Sequence, residues 1–275
     1  MKGRWDKDTT RVTVIRRDLL MRSCLTFFMA LSVVLSLMSP PDLLAGGLPP
    51  DQNKAHIGKL PLVELPAADA ENDILAIILS GDGGWADLDR DFGYAFQKMG
   101  VSTIGFDSLK YFWKPRKPSE VSRDLGEVVR YYMKAWNKQS VLLVGYSFGA
   151  SWLPFLVNRL PLDIQAHVRL VALLAPGDYA NVEIHVGDWI RDERRPGALN
   201  VPPEAARIQR PVLCVYGEEE ESESICPGLK GDDVHILRMK SGHHFGGDYA
   251  TIENTILNFV KPVTPHPVPI GNFMR

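Results

Sequence analysis

Three residue types that together perform acyl transfer occur in order along the chain: a serine between glycines, an acidic run and a histidine pair. Ser147 lies in Gly145-Tyr146-Ser147-Phe148-Gly149, between the apolar run "VLLV" and the segment "ASWLPFLVNRL". A Gly-x-Ser-x-Gly arises by chance about once per ten chains of this size, so context must carry the reading. A serine on a sharp turn between strand and helix exposes its hydroxyl at the carboxyl end of a sheet. The N–H of the next residue, Phe148, then faces a developing oxyanion. The alternative is a small residue in an ordinary glycine turn.

A lone serine hydroxyl is a poor nucleophile near neutral pH and needs a base, itself oriented by an acid. On a nucleophile elbow these follow in the order Ser, Asp/Glu, His. The strand "RPVLCVYG" leads into "EEEESES", where Glu220, three residues past Gly217, is the expected acid and Glu219, Glu221 and Glu223 are substitutes. The remaining carboxylates fit a solvated face. The base falls in "SGHHFGGDY". Adjacent side chains diverge, so only one histidine can face Ser147; His244 is preferred and His243 is the alternative. A second oxyanion donor is expected in "LSGDGGWADLD" (79–89), at the N–H of Asp82 or its neighbour Gly83. A phosphate loop fits poorly there, since no Gly-Lys-Ser/Thr follows and Asp82 would repel the ligand. A metal site on the histidine pair and Asp248 lacks helical His-x-x-x-His spacing. His56, His167, His185 and His235 have no comparable context, and the proposed chemistry requires no cofactor.

Positioning these groups takes alternating strands and helices. Strand runs at 73–80, 101–107, 140–146, 168–176, 210–217 and 233–239 are short, β-branched and nearly all apolar, as in a parallel sheet covered on both faces. Residues 119–138 carry Val121, Leu125, Val128, Val129, Tyr132 and Trp136 at three- and four-residue steps, one helical stripe. A second helix follows Ser147, with Pro154 marking a kink or an early turn. A last one opens near Asp248 as N-cap and turns Ile252, Ile256, Leu257 and Val260 inward. The fold class is therefore α/β with a doubly wound, mostly parallel sheet and helices on both faces. Residues 46–72 read as an N-terminal extension with one strand candidate, and 73–262 as the domain. The polar segment 177–209 reads as a lid or insertion, and 263–275 as a proline-rich tail.

The chain has 275 residues, 45% hydrophobic and 23% charged, enough for a full core. Its formal net charge of −2 gives no reason to expect nucleic acid as a partner. Residues 1–45 join a basic flank to the apolar run "LTFFMALSVVLSLM" and then small residues, the pattern of a secretory signal. That run is shorter than a membrane span of roughly 20 residues, although an uncleaved anchor stays open, as does the choice between Sec and twin-arginine routes. Export leaves Cys214 and Cys226, an even count that suggests one disulfide in an oxidising compartment. Two free thiols are the alternative.

The stretches "SGDGGWADLD", "GFDSLKYFWKPRKP", "LVGYSFGA", "CVYGEEEESESICP" and "SGHHFGGDY" resemble, in this order, the bacterial virulence protein VirJ/AcvB family of α/β-hydrolases. The length is similar to the short VirJ form. The resemblance implies an α/β-hydrolase-like sheet and a periplasmic serine ester hydrolase. The implied substrate is lysyl-phosphatidylglycerol at the membrane surface, cleaved to lysine and phosphatidylglycerol. It also links the family to type IV secretion, so a non-catalytic adaptor or chaperone for secretion-system proteins is the competing function. On this reading Asp82, Asp107 or the glutamate loop attracts the lysyl ammonium groups. Lys110, Tyr111, Trp113, Lys114, Arg116 and Lys117 approach lipid phosphate, unless the aromatic residues simply pack in the core.

Overall fold

The computed structural model describes residues 50–68, 72–185 and 193–260. The expected signal segment, the tail from 263 and positions 186–192 of the insertion lie outside the described residues. Seven strands form the main sheet in the order β1-β3-β2-β4-β5-β8-β9: β1 Leu62–Leu65, β2 Ile74–Leu79, β3 Ser102–Phe106, β4 Ser140–Tyr146, β5 Val168–Leu174, β8 Val212–Gly217 and β9 Val234–Met239. All neighbours are parallel except β1, which runs antiparallel to β3. A separate two-stranded ribbon joins β6 Tyr179–Ala180 to β7 Leu199–Asn200 within the insertion.

Both faces of the sheet are covered, which explains the unbroken apolar runs. Along β2, Leu75, Ile77 and Leu79 join one buried cluster while Ile74, Ala76 and Ile78 join the other, the period of two that a strand imposes. Helix α4 (Pro118–Ala135) and helix α5 (Phe148–Val157) pack on the first face. Helix α2 (Asp87–Lys98) and helix α8 (Tyr249–Val260) pack on the second. Asp248 caps α8 as expected, accepting from the Thr251 N–H at 3.3 Å. Pro154 stands in the interior of α5, not in its first turn.

Two departures from the sequence reading are informative. Helix α1 (Pro50–Ile57) and β1, read as an extension outside the domain, are built into it. Ile57 is buried in the core, Asp107 N–H donates to Pro61 C=O, and Tyr132 Oη donates to Glu64 Oε1 at 2.7 Å. The second departure is α2, whose first residues fall within the 79–89 loop expected from the sequence. Leu88, Phe92 and Phe96 line its buried side at helical spacing.

The strand order fixes where a ligand can sit. From β2 the chain crosses to β3 on one side and then to β4 on the other. A crevice opens outside the carboxyl ends of neighbouring parallel strands at such a reversal. Here those ends carry the glycine loop after β2 and Ser147 after β4.

Candidate active site

Ser147 sits between β4 and α5 with φ 52° and ψ −112°, the left-handed backbone of a strained turn. The flanking glycines are required by close approach. A Cβ at Gly149 would lie 2.4 Å from the Leu79 carbonyl oxygen, and one at Gly145 would lie 2.6 Å from the Gly149 carbonyl oxygen. Gly149 therefore lets the elbow press against the end of β2, and Gly145 lets the start of α5 fold back over β4. Phe148 is the first residue of α5, so its N–H has no carbonyl one turn earlier to bond.

His243 Nε2 lies 2.9 Å from Ser147 Oγ, and His243 Nδ1 lies 2.9 Å from Glu220 Oε2. Both bonds are satisfied when the Nδ1 proton is donated to the carboxylate and Nε2 accepts from the serine hydroxyl. Glu220 is held in a short turn directly after β8. The acid and base loops meet because Gly217 has no Cβ; one would lie 2.4 Å from the Gly242 carbonyl oxygen.

The preference for His244 over His243 is corrected. His244 turns away from Ser147 and places Nδ1 3.0 Å from Tyr146 Oη. The cause is Phe245, buried in the core at φ 55°, which fixes the turn that splits the two imidazoles. Glu219, Glu221 and Glu223, the substitutes for Glu220, stay at the surface.

Asp82 and Gly83 occupy the corners of a turn closed by Gly84 N–H donating to Gly81 C=O at 3.1 Å. The turn begins beside Ser147, since a Cβ on Gly81 would lie 3.7 Å from Ser147 Cβ. Residues outside the sequence prediction hold this loop. Ser108 N–H donates to Ser80 Oγ at 2.9 Å, and Ser108 Oγ donates to Ser80 C=O at 2.7 Å. The Trp85 indole fills a slot between α2 and β3 that exists because Gly93 and Gly105 have no side chains. A Cβ at those positions would meet the ring at 3.0 and 2.5 Å. Asp89 is buried, its Oδ1 has no hydrogen-bond partner, and desolvation pushes its carboxyl up to about 8. The quoted Gly-Asp-Gly-Gly-Trp stretch carried a signal for Trp85; nothing local marked Asp89.

The expected substrate contacts divide. Asp107 does not form an acidic rim. It is buried, caps the short helix α3 (Ser108–Tyr111) and pairs with Lys110 Nζ at 2.9 Å. Tyr111 does not face a lipid either: it is buried, and its hydroxyl donates to Asp124 Oδ2 at 2.5 Å. Phe112 is buried too, its ring 5.0 Å from that of Phe148. Trp113 is different, 55% exposed beside exposed Lys114. With Leu109, Lys110, Tyr111 and Arg116 these two line a surface pocket of about 550 Å³. Cys214 and Cys226 are joined by a disulfide.

The doubly wound sheet, the strained serine elbow and the Ser147–His243–Glu220 hydrogen bonds define an α/β-hydrolase fold with a serine triad arrangement. The chain belongs to the bacterial virulence protein (VirJ) family, whose model matches residues 73–263. Among solved structures it is similar to the esterase Pf2001 of Pyrococcus furiosus, at 16% identity and TM-score 0.51, covering 79% of this chain and 96% of that one. It is also similar to Est1E from Butyrivibrio proteoclasticus, at 15% identity and TM-score 0.51, covering 72% and 93% respectively. A lipase-esterase related protein from Clostridium acetobutylicum matches at 15% identity and TM-score 0.51, over 73% of this chain and 99% of that one. At these identities the likeness is one of fold. No curated protein sequence matches the chain.

Proposed function

We propose that the protein is a periplasmic serine ester hydrolase that cleaves the aminoacyl ester of lysyl-phosphatidylglycerol. The observation that carries the reading is the continuous path from Ser147 Oγ through His243 to Glu220, with 2.9 Å at each step. Ser147 attacks the ester carbonyl while His243 Nε2 takes its proton. The oxyanion forms against the Phe148 N–H and an N–H of Asp82 or Gly83. Collapse expels the lipid hydroxyl, protonated by His243, and leaves lysine esterified to Ser147. Water, deprotonated by His243, then releases lysine. Glu220 keeps the imidazole oriented and balances its charge.

The substrate assignment draws on the family, and two surface features are compatible with it. Trp113 with Lys110, Lys114 and Lys117 forms an amphipathic patch suited to a headgroup region. Because Asp107 is buried and engaged by Lys110, and Arg238 bridges Glu218 and Glu221, recognition of the lysyl ammonium falls to the exposed Glu219 and Glu223 of the glutamate loop. The disulfide and the N-terminal basic-apolar pattern support export. Among the described residues no helix is long and apolar enough to cross a membrane.

The test is labelling of purified protein with a fluorophosphonate, Ser147→Ala alongside, followed by release of lysine from lysyl-phosphatidylglycerol. Labelling and lysine release, both lost in Ser147→Ala, are expected. A folded wild type that neither labels nor releases lysine overturns the reading and favours the secretion-linked adaptor, to be sought by partner pull-down.

A further inference from the structure

The second histidine has a partner of its own. Tyr146 precedes Ser147 in sequence and His244 follows His243, and the two pairs face each other. Ser147 Oγ is 2.9 Å from His243 Nε2, and Tyr146 Oη is 3.0 Å from His244 Nδ1. The bonds are two rungs between the same two segments, the end of β4 and the base loop. We infer that Tyr146 and His244 are positioning residues, a strut that holds His243 at the distance and angle needed to take the Ser147 proton.

The base loop needs such a strut. Phe245, Gly246 and Gly247 have φ values of 55°, 62° and 79°, three left-handed residues in succession. Phe245 N–H to Gly242 C=O and Gly247 N–H to His244 C=O, each 3.0 Å, close the loop on itself, and Glu219 N–H to Ser241 C=O at 3.2 Å ties its start to the acid loop. They shape the turn without fixing it to the nucleophile. Phe245 anchors it in the core below, and the Tyr146–His244 bond joins it sideways to the strand that bears Ser147. Tyr146 also lies 3.5 Å from the His243 carbonyl oxygen, and its ring centroid is 5.4 Å from that of His243. On its other side the ring meets Gly81, whose Cβ would be 3.3 Å away, so one side chain touches elbow, base loop and oxyanion loop.

The phenol suits the task. Burial first, then the charges of Asp89, Tyr249, Glu220 and Asp82, push its pKa up, so it stays a neutral donor at every working pH. Of the two acceptors near the hydroxyl, His244 Nδ1 at 3.0 Å is closer than the His243 carbonyl oxygen at 3.5 Å, and assigning the phenol's one hydrogen to Nδ1 leaves that imidazole's proton on Nε2. His244 is thus engaged through the nitrogen that a base would need, and two adjacent histidines divide into one that moves a proton and one that holds its neighbour.

The inference rests on the serine-hydrolase reading, and the experiment separates their failures. Fluorophosphonate inactivation is followed in Tyr146→Phe, His244→Leu, His244→Asn and the Tyr146→Phe/His244→Leu double variant, below each protein's unfolding temperature. The His243 imidazole N–H resonance is recorded in the same samples. Loss of one hydrogen bond that acts only through geometry is expected to slow the inactivation step about fivefold to tenfold, with reagent affinity unchanged within about twofold. The amide oxygen of His244→Asn replaces Nδ1 as acceptor and restores most of the rate. The double variant is no slower than the slower single, as for two partners in one bond. The His243 N–H signal, sharp in the wild type, broadens in Tyr146→Phe and His244→Leu. Wild-type rates in both singles, multiplicative losses in the double, or His244→Asn as slow as His244→Leu overturn the strut. An unlabelled wild type overturns the hydrolase reading instead. The resonance then decides the strut alone: a signal equally sharp in all variants overturns it, and selective broadening upholds it.

Discussion

The loop after β2 (80–86) and the loop after β8 (218–226) both leave carboxyl ends of parallel strands and both feed the site, but they are fastened by opposite means. The first is held from within. Its Trp85 ring fills a slot between α2 and β3, Ser80 and Ser108 exchange two hydrogen bonds, and Gly84 N–H closes a turn onto Gly81 C=O. The second is held from its ends. Its side chains from Glu218 to Glu223 lie largely at the surface, while the Cys214–Cys226 disulfide, Ile225 N–H to Pro176 C=O and a bridge between Gly177 and Ser224 close its base. The difference matches what each loop would supply to the proposed reaction. An oxyanion hole is built from backbone N–H groups and can be placed only by fixing the backbone. A carboxylate that orients a base sits on a rotatable side chain, so closing the ends of its loop suffices.

The comparison can be broken most forcefully at Trp85. Trp85→Ala should empty the slot, cost about 3 kcal/mol or more in stability and slow ester turnover about hundredfold, as when an oxyanion donor is displaced. Kinetics and thermal unfolding read both. Wild-type turnover in a folded Trp85→Ala would show that packing does not set the hole. Removing the disulfide tests the other loop. In the chain-entropy model a separation of 12 residues corresponds to about 3 kcal/mol, and hence a fall in Tm of roughly 6–12 °C. Turnover of Cys214→Ser/Cys226→Ser at low temperature should fall less than in Trp85→Ala, and a larger fall would reverse the contrast.

Asp89 sharpens the comparison through pH. Its folded carboxyl is raised from 3.8 to about 8, chiefly by desolvation. Between those values the folded state binds the extra proton, so this stabilisation is full below about pH 4 and is lost as pH rises through 8. Asp89→Asn should flatten the dependence of Tm on pH across that window, and an unchanged slope would exclude Asp89 as its source. The smallest effect is expected at the rim of the acid loop. Arg238 bridges Glu218 and Glu221 at 2.9 Å each, all three well exposed. Arg238→Ala should leave both Tm and turnover at wild-type values, because exposed ion pairs are screened.

The six predicted strands fall within a few residues of their observed limits, because the central ones are buried on both faces and nearly all apolar, while edge strand β9 still shows despite exposed His235 and Arg238. Helix α2 escaped because its sequence, "DLDRDFGYAFQK", opens with charges and contains Gly93. That glycine serves Trp85 and Leu65 across the fold, with a Cβ 2.7 Å from Leu65, a demand no local pattern reveals. β1 was legible as a strand, but its place on the sheet edge was not, since pairing with β3 depends on residues forty positions further on. In the site, Ser147 and Glu220 were legible because each follows a glycine at the end of an apolar strand. Tyr111 was misread because its partner Asp124 lies on a helix whose packing the sequence does not state, and Asp107 because the short helix it caps has no periodic signature.

The sequence by itself determined the parts and their order: strand-forming runs, a glycine-flanked serine, an acid after one strand and a histidine pair after the next. These follow from local rules, the periodicity of burial and the steric demands of tight turns. Only the tertiary structure decided which histidine meets the serine and what the other one does. The direction of a side chain on a turn depends on backbone angles set by a buried neighbour, Phe245, and on a hydroxyl brought in by a distant strand, Tyr146.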